Sequence, residues 1–303
     1  MDASTTSRLH DAALDATIRR HELLMAEARA IIDAGSERGV VLRLTGGLAV
    51  RHYAIDLEFA EREYSDIDLI GRKRQVVGIG EVFRGLGYVE NQHVAMATGN
   101  GQQQFFLPDP QADGGPGATD LPVVSEVPPS DHIDVFLDAM RMDHAIDFRD
   151  RLEINAYAID PADLFLSKLQ IVNLNEKDVH DAITLVKDVS VDFHPHPGIL
   201  DLHHVAEVCG ADWGLYIDVM DNIDTVIEHV GDYDLGPRDA ARVRRTLELA
   251  QDMMTEQAKT LRWRLRSRVG KRMRWYAEVE EQFGGRTEDA ALAASSKAAR
   301  AAD

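Results

Sequence analysis

Several residue types and patterns are scarce in this chain of 303 residues. It has a single cysteine, Cys209, which excludes an internal disulfide framework and is typical of the reducing cytoplasm, where we expect the protein. No apolar run reaches the roughly 20 residues of a membrane-spanning helix, and the first ten residues lack the pattern of an export signal. We therefore expect no membrane partner.

Basic residues are also fewer than acidic ones. The chain has 33 Lys and Arg against 52 Asp and Glu, which gives a net charge of -19 at pH 7. A surface of this charge repels phosphates, so any nucleic-acid binding must be local. One short stretch has the basic residues for it, with tryptophans and a tyrosine interleaved: Arg262, Arg264, Arg266, Arg268, Lys271, Arg272 and Arg274.

What the chain does have is a pair of glycines followed by three aspartates on short apolar segments. The glycines are Gly46 and Gly47; Asp66 and Asp68 alternate with apolar residues, and Asp134 lies in a similar later segment. In a strand, this alternation places both carboxylates of the first segment on one face. Three clustered acids need a divalent cation, and oxygen ligands favour Mg²⁺ or Mn²⁺.

The glycines follow a strand-like segment, residues 40–44, and precede a helical one, residues 48–55. Backbone N–H groups at such a helix start, with no side chain in the way, form a phosphate cradle. We expect Thr45, Gly46 and Gly47 to bind phosphate.

The remaining patterns predict an α/β fold. Helices are expected near residues 6–34 and 75–86, strands near 104–107, 133–137 and 152–159, and a surface loop over 108–130. Asp160 and Pro161 form a helix start, after which only helical patterns occur. The expected units are a mixed-sheet domain at 1–159, an α-helical domain at 160–285 and a disordered tail at 286–303.

Three stretches of the chain resemble the nucleotidyltransferase superfamily, and within it the abortive-infection-type toxins called AbiEii-like, including the mycobacterial MenT-like enzymes. They are LTGGLAV at 44–50, YSDIDL at 64–69 and DLFLSKL at 163–169, the last followed by Lys177, Asp178 and Asp181. The resemblance covers about residues 42–186. It implies a nucleotidyltransferase-type mixed sheet with flanking helices, followed by an α-helical C-terminal domain.

The resemblance also implies roles for single residues. NTP would lie at the glycine turn and Mg²⁺ on Asp66 and Asp68. Lys168 would hold the triphosphate, and Asp181, the acid of the following helix, would also belong to the nucleotide-binding residues. Many superfamily members have Gly-Ser at the turn, whereas this chain has two glycines and lacks the hydroxyl. Because the 108–130 segment is long, the third acid is Asp134 or one of two neighbours, Asp131 and Asp138.

The predicted activity is Mg²⁺-dependent transfer of an NMP from an NTP to an acceptor hydroxyl. Asp66, Asp68, Asp134 and Lys168 are the expected catalytic residues, and Ser65 is expected to hydrogen-bond the nucleotide. The resemblance makes an RNA or tRNA 3′ end the expected acceptor, bound by the basic stretch, and an antitoxin protein a further partner. The same catalytic core would serve a small molecule or a protein side chain. The alternative from another class is a non-catalytic nucleotide- or partner-binding module.

Several of these residues have simpler interpretations. Lys168 lies off the apolar stripe of its helix and is equally compatible with a solvated lysine. Lys177 and Asp181 are spaced for an exposed ion pair. The basic stretch is equally compatible with a solvated helix face. A zinc site is disfavoured, because no cysteine or acid completes a ligand pattern with the four histidines His194, His196, His203 and His204.

Overall fold

The structure is a computed structural model that describes residues 3–108, 130, 132–192 and 196–277, with side chains from residue 17 onward. Most of the predicted loop at 108–130 lies outside the described residues, as do Asp131, His194 and the predicted tail at 286–303.

A five-stranded mixed sheet carries the acidic segments. Its strands, in the order β1-β2-β5-β4-β3, are β1 (Leu42–Leu44), β2 (Ile67–Gly71), β3 (Val89–Glu90), β4 (Gln102–Phe106) and β5 (Ile133–Leu137). β2 and β5 are parallel, and the other neighbours are antiparallel. β5 alternates strictly between buried and half-buried residues, as its sequence predicts. A separate hairpin pairs β6 (Ala139–Arg141) with β7 (Ala145–Asp147).

Four helices belong to the first half of the chain: α1 (Ala3–Glu37), α2 (Gly46–Tyr53), α3 (Val76–Gly85) and α4 (Gln92–Ala97). α1 buries Leu24, Ala28, Ile31 and Ile32, whose spacing forms one helix face. The predicted order of strand, glycine turn and helix is observed, since β1 ends at Leu44 and α2 begins two residues later.

The second half is helical among the described residues, with α5 (Pro161–Leu169), α6 (Glu176–Asp188), α7 (Leu202–Ala211), α8 (Trp213–His229), α9 (Pro237–Glu256) and α10 (Leu261–Val269). Asp160 caps α5 by accepting a hydrogen bond from Ala162 N–H, as the sequence predicts. A mixed sheet with a helical part is therefore confirmed. No described helix combines the length and the apolar character needed to cross a membrane.

The predicted strand at 152–159 is wrong. Turns and bends occupy most of it, and one bridge, Leu44 to Ala158, joins it to β1. Polar groups of this segment have other partners: Asn155 O accepts from Arg43 Nε at 2.5 Å, and its side chain donates to Asp160 at 3.3 Å. The segment therefore lies at the edge of the sheet, where one bridge joins it to β1, but it does not form a strand despite its alternating apolar residues.

One continuous hydrophobic core joins the two halves. It includes β2 residues such as Ile67 and Leu69, and α9 residues such as Leu247 and Met254. α2 packs against both α5 and α6. This packing brings the glycine turn next to the first two helices of the second half.

Candidate active site at the glycine turn

The glycine turn and the acidic strand lie directly against each other. Thr45 N–H donates to Asp68 O at 2.9 Å, which ties the turn to β2. Gly46 has φ +65°, and a Cβ on it would collide with Asp68 Oδ2. Glycine is therefore needed at position 46, both for its backbone conformation and for the close approach of the Asp68 carboxylate.

Thr45 is fully buried, and its hydroxyl has no partner among the described residues.

Two of the predicted acids are neighbours across the parallel pair of strands. Asp68 on β2 is in register with Asp134 on β5, so both side chains lie on the same face of the sheet. Asp66 immediately precedes β2, and its carboxylate accepts a hydrogen bond from Ser65 Oγ at 2.8 Å. The spare candidate Asp138 lies just past the other end of β5, where it binds Lys73 N–H.

The charge of Asp68 is only partly compensated, because Lys168 and His132 lower its pKa while burial and the neighbouring acids raise it. Burial, followed by the nearby charge of Asp134, raises the pKa of Asp68 to about 7. No hydrogen-bond donor among the described side chains reaches its carboxylate, whereas Asp134 accepts one from Gln104 at 3.0 Å. The ionised form of a half-buried carboxylate beside a second acid is stabilised by a nearby cation.

His132 is a site residue that the sequence analysis missed. Its ring lies 3.8 Å from Asp66 Oδ1 and 3.3 Å from Asp134 Oδ2. The hydrogen bond to Asp134 is the main reason why its pKa is raised to about 9. The signal was available, because His132 and Asp134 are two apart on an extended segment and so share a face.

A divalent cation fits the chemistry of this group, although its ligands are not assembled around one position. Within the described residues, no three His, Cys, Asp or Glu side chains are already spaced to hold a metal ion. Asp66 and Asp134 instead flank His132. The carboxylate oxygens of Asp66, Asp68 and Asp134 nevertheless match the ligands that Mg²⁺ and Mn²⁺ prefer.

Lys168 lies in a buried cluster of charged side chains with Asp178 and Asp181, near the glycine turn. Its Nζ lies 2.7 Å from Asp181 Oδ2 and 3.5 Å from Asp178 Oδ1, with 12% of the side chain exposed. Burial is the largest single effect and lowers the pKa of Lys168, but the charges of Asp181 and Asp178 and the hydrogen bond to Asp181 together outweigh it, so the pKa is raised. The interpretation of Lys168 as a solvated lysine is wrong. The predicted ion pair of Lys177 with Asp181 is also wrong, because Asp181 is 1% exposed and bound elsewhere.

Arg62 is the second residue that the sequence analysis missed. Its guanidinium binds both carboxylate oxygens of Asp181 at 2.8 Å, so that Asp181 lies between two cations. Burial raises the pKa of Asp181, yet Lys168 and Arg62 outweigh this effect and hold it below its ordinary range. Arg62 and Asp181 are 119 residues apart, and no local pattern signals their contact.

The basic stretch forms α10 and the turn that follows it. Arg262, Arg264 and Arg268 are exposed there. Arg266 has a structural role, since it donates to Gly270 O at 2.8 Å and to Met273 O at 2.7 Å. Among the histidines considered for zinc, His204 binds Asp163 at 2.9 Å, and the described residues contain no zinc-like group.

Comparison with family models, with curated proteins and with solved structures found no match for this chain. The resemblance to nucleotidyltransferases therefore stays a prediction.

Proposed function

We propose that this protein is a Mg²⁺- or Mn²⁺-dependent nucleotidyltransferase that moves an NMP from an NTP to an acceptor hydroxyl. The observation that carries the proposal is the contact of Asp68 with Gly46. It sets a carboxylate with a raised pKa against the start of α2, where unpaired backbone N–H groups favour phosphate. Because a carboxylate and a phosphate are both negatively charged, a cation is needed between the two groups.

In the proposed reaction, the acceptor hydroxyl attacks the α-phosphorus in line, the bond to the bridging oxygen breaks, and pyrophosphate leaves. Asp134 takes the proton of the attacking hydroxyl. Gly46 and Gly47 hold phosphate oxygens through their backbone N–H groups, and Lys168 offsets the charge of the triphosphate. Ser65 orients Asp66 through its 2.8 Å hydrogen bond.

Asp66, Asp68 and Asp134 would hold the divalent cation. When bound, it supplies charge stabilisation to the phosphate oxygens. For these three acids to share one ion, His132 would have to leave its position between Asp66 and Asp134.

A transfer assay tests the proposal. The protein is incubated with each of the four α-labelled NTPs, Mg²⁺ and total RNA, and label is followed into RNA, protein and small molecules. The variant Asp68→Asn keeps the shape of the side chain and removes its charge. The matched control is Asp252→Asn on α9, where Asp252 is exposed and outside the site.

We expect the wild type and Asp252→Asn to transfer label and Asp68→Asn to lose the activity. Measurable NTP binding without transfer to any acceptor would favour a non-catalytic nucleotide-binding module. Equal transfer by Asp68→Asn would remove the proposed catalytic role of the acids.

The acceptor we favour is RNA, with an antitoxin protein as a further partner of such a system. The support is electrostatic, because α10 exposes Arg262, Arg264 and Arg268 on a chain of net charge -19. Replacing Arg264 and Arg268 by Gln should weaken transfer to RNA and leave NTP binding unchanged. The control pair is Arg238 and Arg245, two exposed arginines of α9. Unchanged RNA transfer in the α10 variant would point to a small molecule or a protein as acceptor.

A further inference from the structure

Arg62 is fixed in one orientation beside the glycine turn. Its side chain is 16% exposed and lies in the segment between α2 and β2. The guanidinium binds Asp181 through Nε and Nη2 and lies over the ring of Tyr64, with 4.3 Å between Cζ and the ring centroid. A bidentate and stacked guanidinium is held in place before any ligand arrives.

The same guanidinium explains why residue 47 is glycine. A Cβ on Gly47 would collide with Arg62 Nη2 and would lie 3.3 Å from Tyr64 Cδ1. Gly47 does not have a positive φ, in contrast to Gly46. The backbone at position 47 therefore tolerates a side chain, and the space for it is taken mainly by the arginine, with Tyr64 beside it. The guanidinium of Arg62 occupies the volume that a side chain at position 47 of the glycine turn would need.

The guanidinium has hydrogen-bond donors to spare. An arginine has five N–H donors. Three are used in this structure: two go to Asp181, and one on Nη1 goes to Glu63 O at 2.7 Å. One donor on Nη1 and one on Nη2 have no acceptor among the described residues. The Nη2 atom is the one that lies against Gly47.

We infer that Arg62 binds a phosphate oxygen of the NTP at Gly47, as a second cation beside Lys168, and that Asp181 positions both cations without contacting the nucleotide. The inference rests on the proposed function and identifies Arg62 as a group that recognises the phosphates of the NTP. Asp181 is 1% exposed, and each of its oxygens already has a cationic partner, so it has no direct access to a ligand. Asp181 is thus a positioning residue.

Calorimetric titration with nucleotides in the presence of Mg²⁺ tests this inference. The ligands are the NTP that the wild type binds best of the four and the NMP of the same base. The variants are Arg62→Gln and Arg62→Lys. The control is Arg149→Gln, because Arg149 also pairs with both oxygens of one aspartate, Asp147, but is exposed.

Arg62→Gln should weaken NTP binding roughly tenfold to a hundredfold, the range expected for loss of a charged hydrogen bond. NMP binding should change much less, and Arg62→Lys should keep part of the NTP affinity. A purely structural role for Arg62 would reduce NTP and NMP binding alike. Arg149→Gln should bind both nucleotides as the wild type does.

A double variant serves as the control for a loss of folding in Arg62→Gln. Arg62→Gln leaves Asp181 with one cation, so the double variant Arg62→Gln/Asp181→Asn removes the arginine and the buried anion together. If the folded double variant binds NTP as tightly as the wild type, the inference about Arg62 is overturned and the transferase proposal stands. If the wild type binds none of the four NTPs, both are overturned.

Discussion

The carboxylate of Asp68 fills the space that a side chain on Gly46 would need. A strand residue and a turn residue 22 positions apart in the sequence thus share one small volume, so a side chain added at position 46 would displace the carboxylate.

Gly46→Ala should therefore disturb both the fold and the site. The left-handed backbone at φ +65° costs an alanine about 1–2 kcal/mol, and the clash with Asp68 adds to that. We expect lower stability in urea unfolding and loss of NTP binding by calorimetry. The control is Gly80→Ala inside α3, where a Cβ meets nothing within 4 Å. This control should gain about 0.5–1 kcal/mol. Normal NTP binding by Gly46→Ala would contradict the packing described here.

Glu27 on α1 should make stability fall as the pH rises. Burial raises its pKa above the ordinary 4.5, although hydrogen bonds from Tyr88 and Ser130 partly oppose this. The folded protein therefore holds a proton that the unfolded chain releases, and stability decreases from about pH 4.5 upward. Glu27→Gln removes this dependence. Urea unfolding at pH 5 and pH 8 should show a larger advantage of the variant at pH 8. An equal difference at both values would mean that Glu27 does not titrate in this way.

His180 on α6 should have the opposite effect. Burial is the largest cause that lowers its pKa below 6.5, and Nε2 lies 2.8 Å from Phe59 O. The unfolded chain takes up a proton below about pH 6.5 that the folded protein resists, so stability is lost as the pH falls. His180→Gln keeps a donor for the carbonyl and cannot be charged. Between pH 7.5 and 5.5, unfolding experiments should show the wild type losing more stability than the variant. A parallel loss in both proteins would count against this assignment.

Asp160 should stabilise the start of α5, the helix that carries Lys168. Its carboxylate accepts hydrogen bonds from Ala162 N–H at 3.2 Å and from Arg151 at 2.9 Å. Asp160→Ala removes the cap and should cost about 1–2 kcal/mol. Asp160→Asn keeps an acceptor and should cost less, which urea unfolding can measure. Equal losses would show that the charge, and not the cap, is what matters.

The parts of the site that follow local rules could be predicted from the sequence. Alternation around Asp68 and Asp134 gave the correct strands, and the glycines gave the turn between β1 and α2. The cap at Asp160 gave the correct start of α5. Each of these depends on neighbours within a few residues, where periodicity and backbone chemistry decide the outcome.

The parts that depend on tertiary contact could not be predicted. Arg62 reaches Asp181 across 119 residues, and nothing near either residue indicates the pair. The segment at 152–159 has a strand's alternation, yet hydrogen bonds such as Arg43 to Asn155 O hold it in turns. His132 is a different case, since its position two residues before Asp134 was a usable signal.

Lys168 and Asp181 come from the helices that follow residue 160, whereas Gly46 begins α2 and Asp68 lies on β2. A protease cut at this junction, followed by separation of the fragments, would leave each piece with only part of the proposed nucleotide site and would expose the core that the two halves share. Neither fragment alone should bind NTP, and activity should return only when the two are recombined.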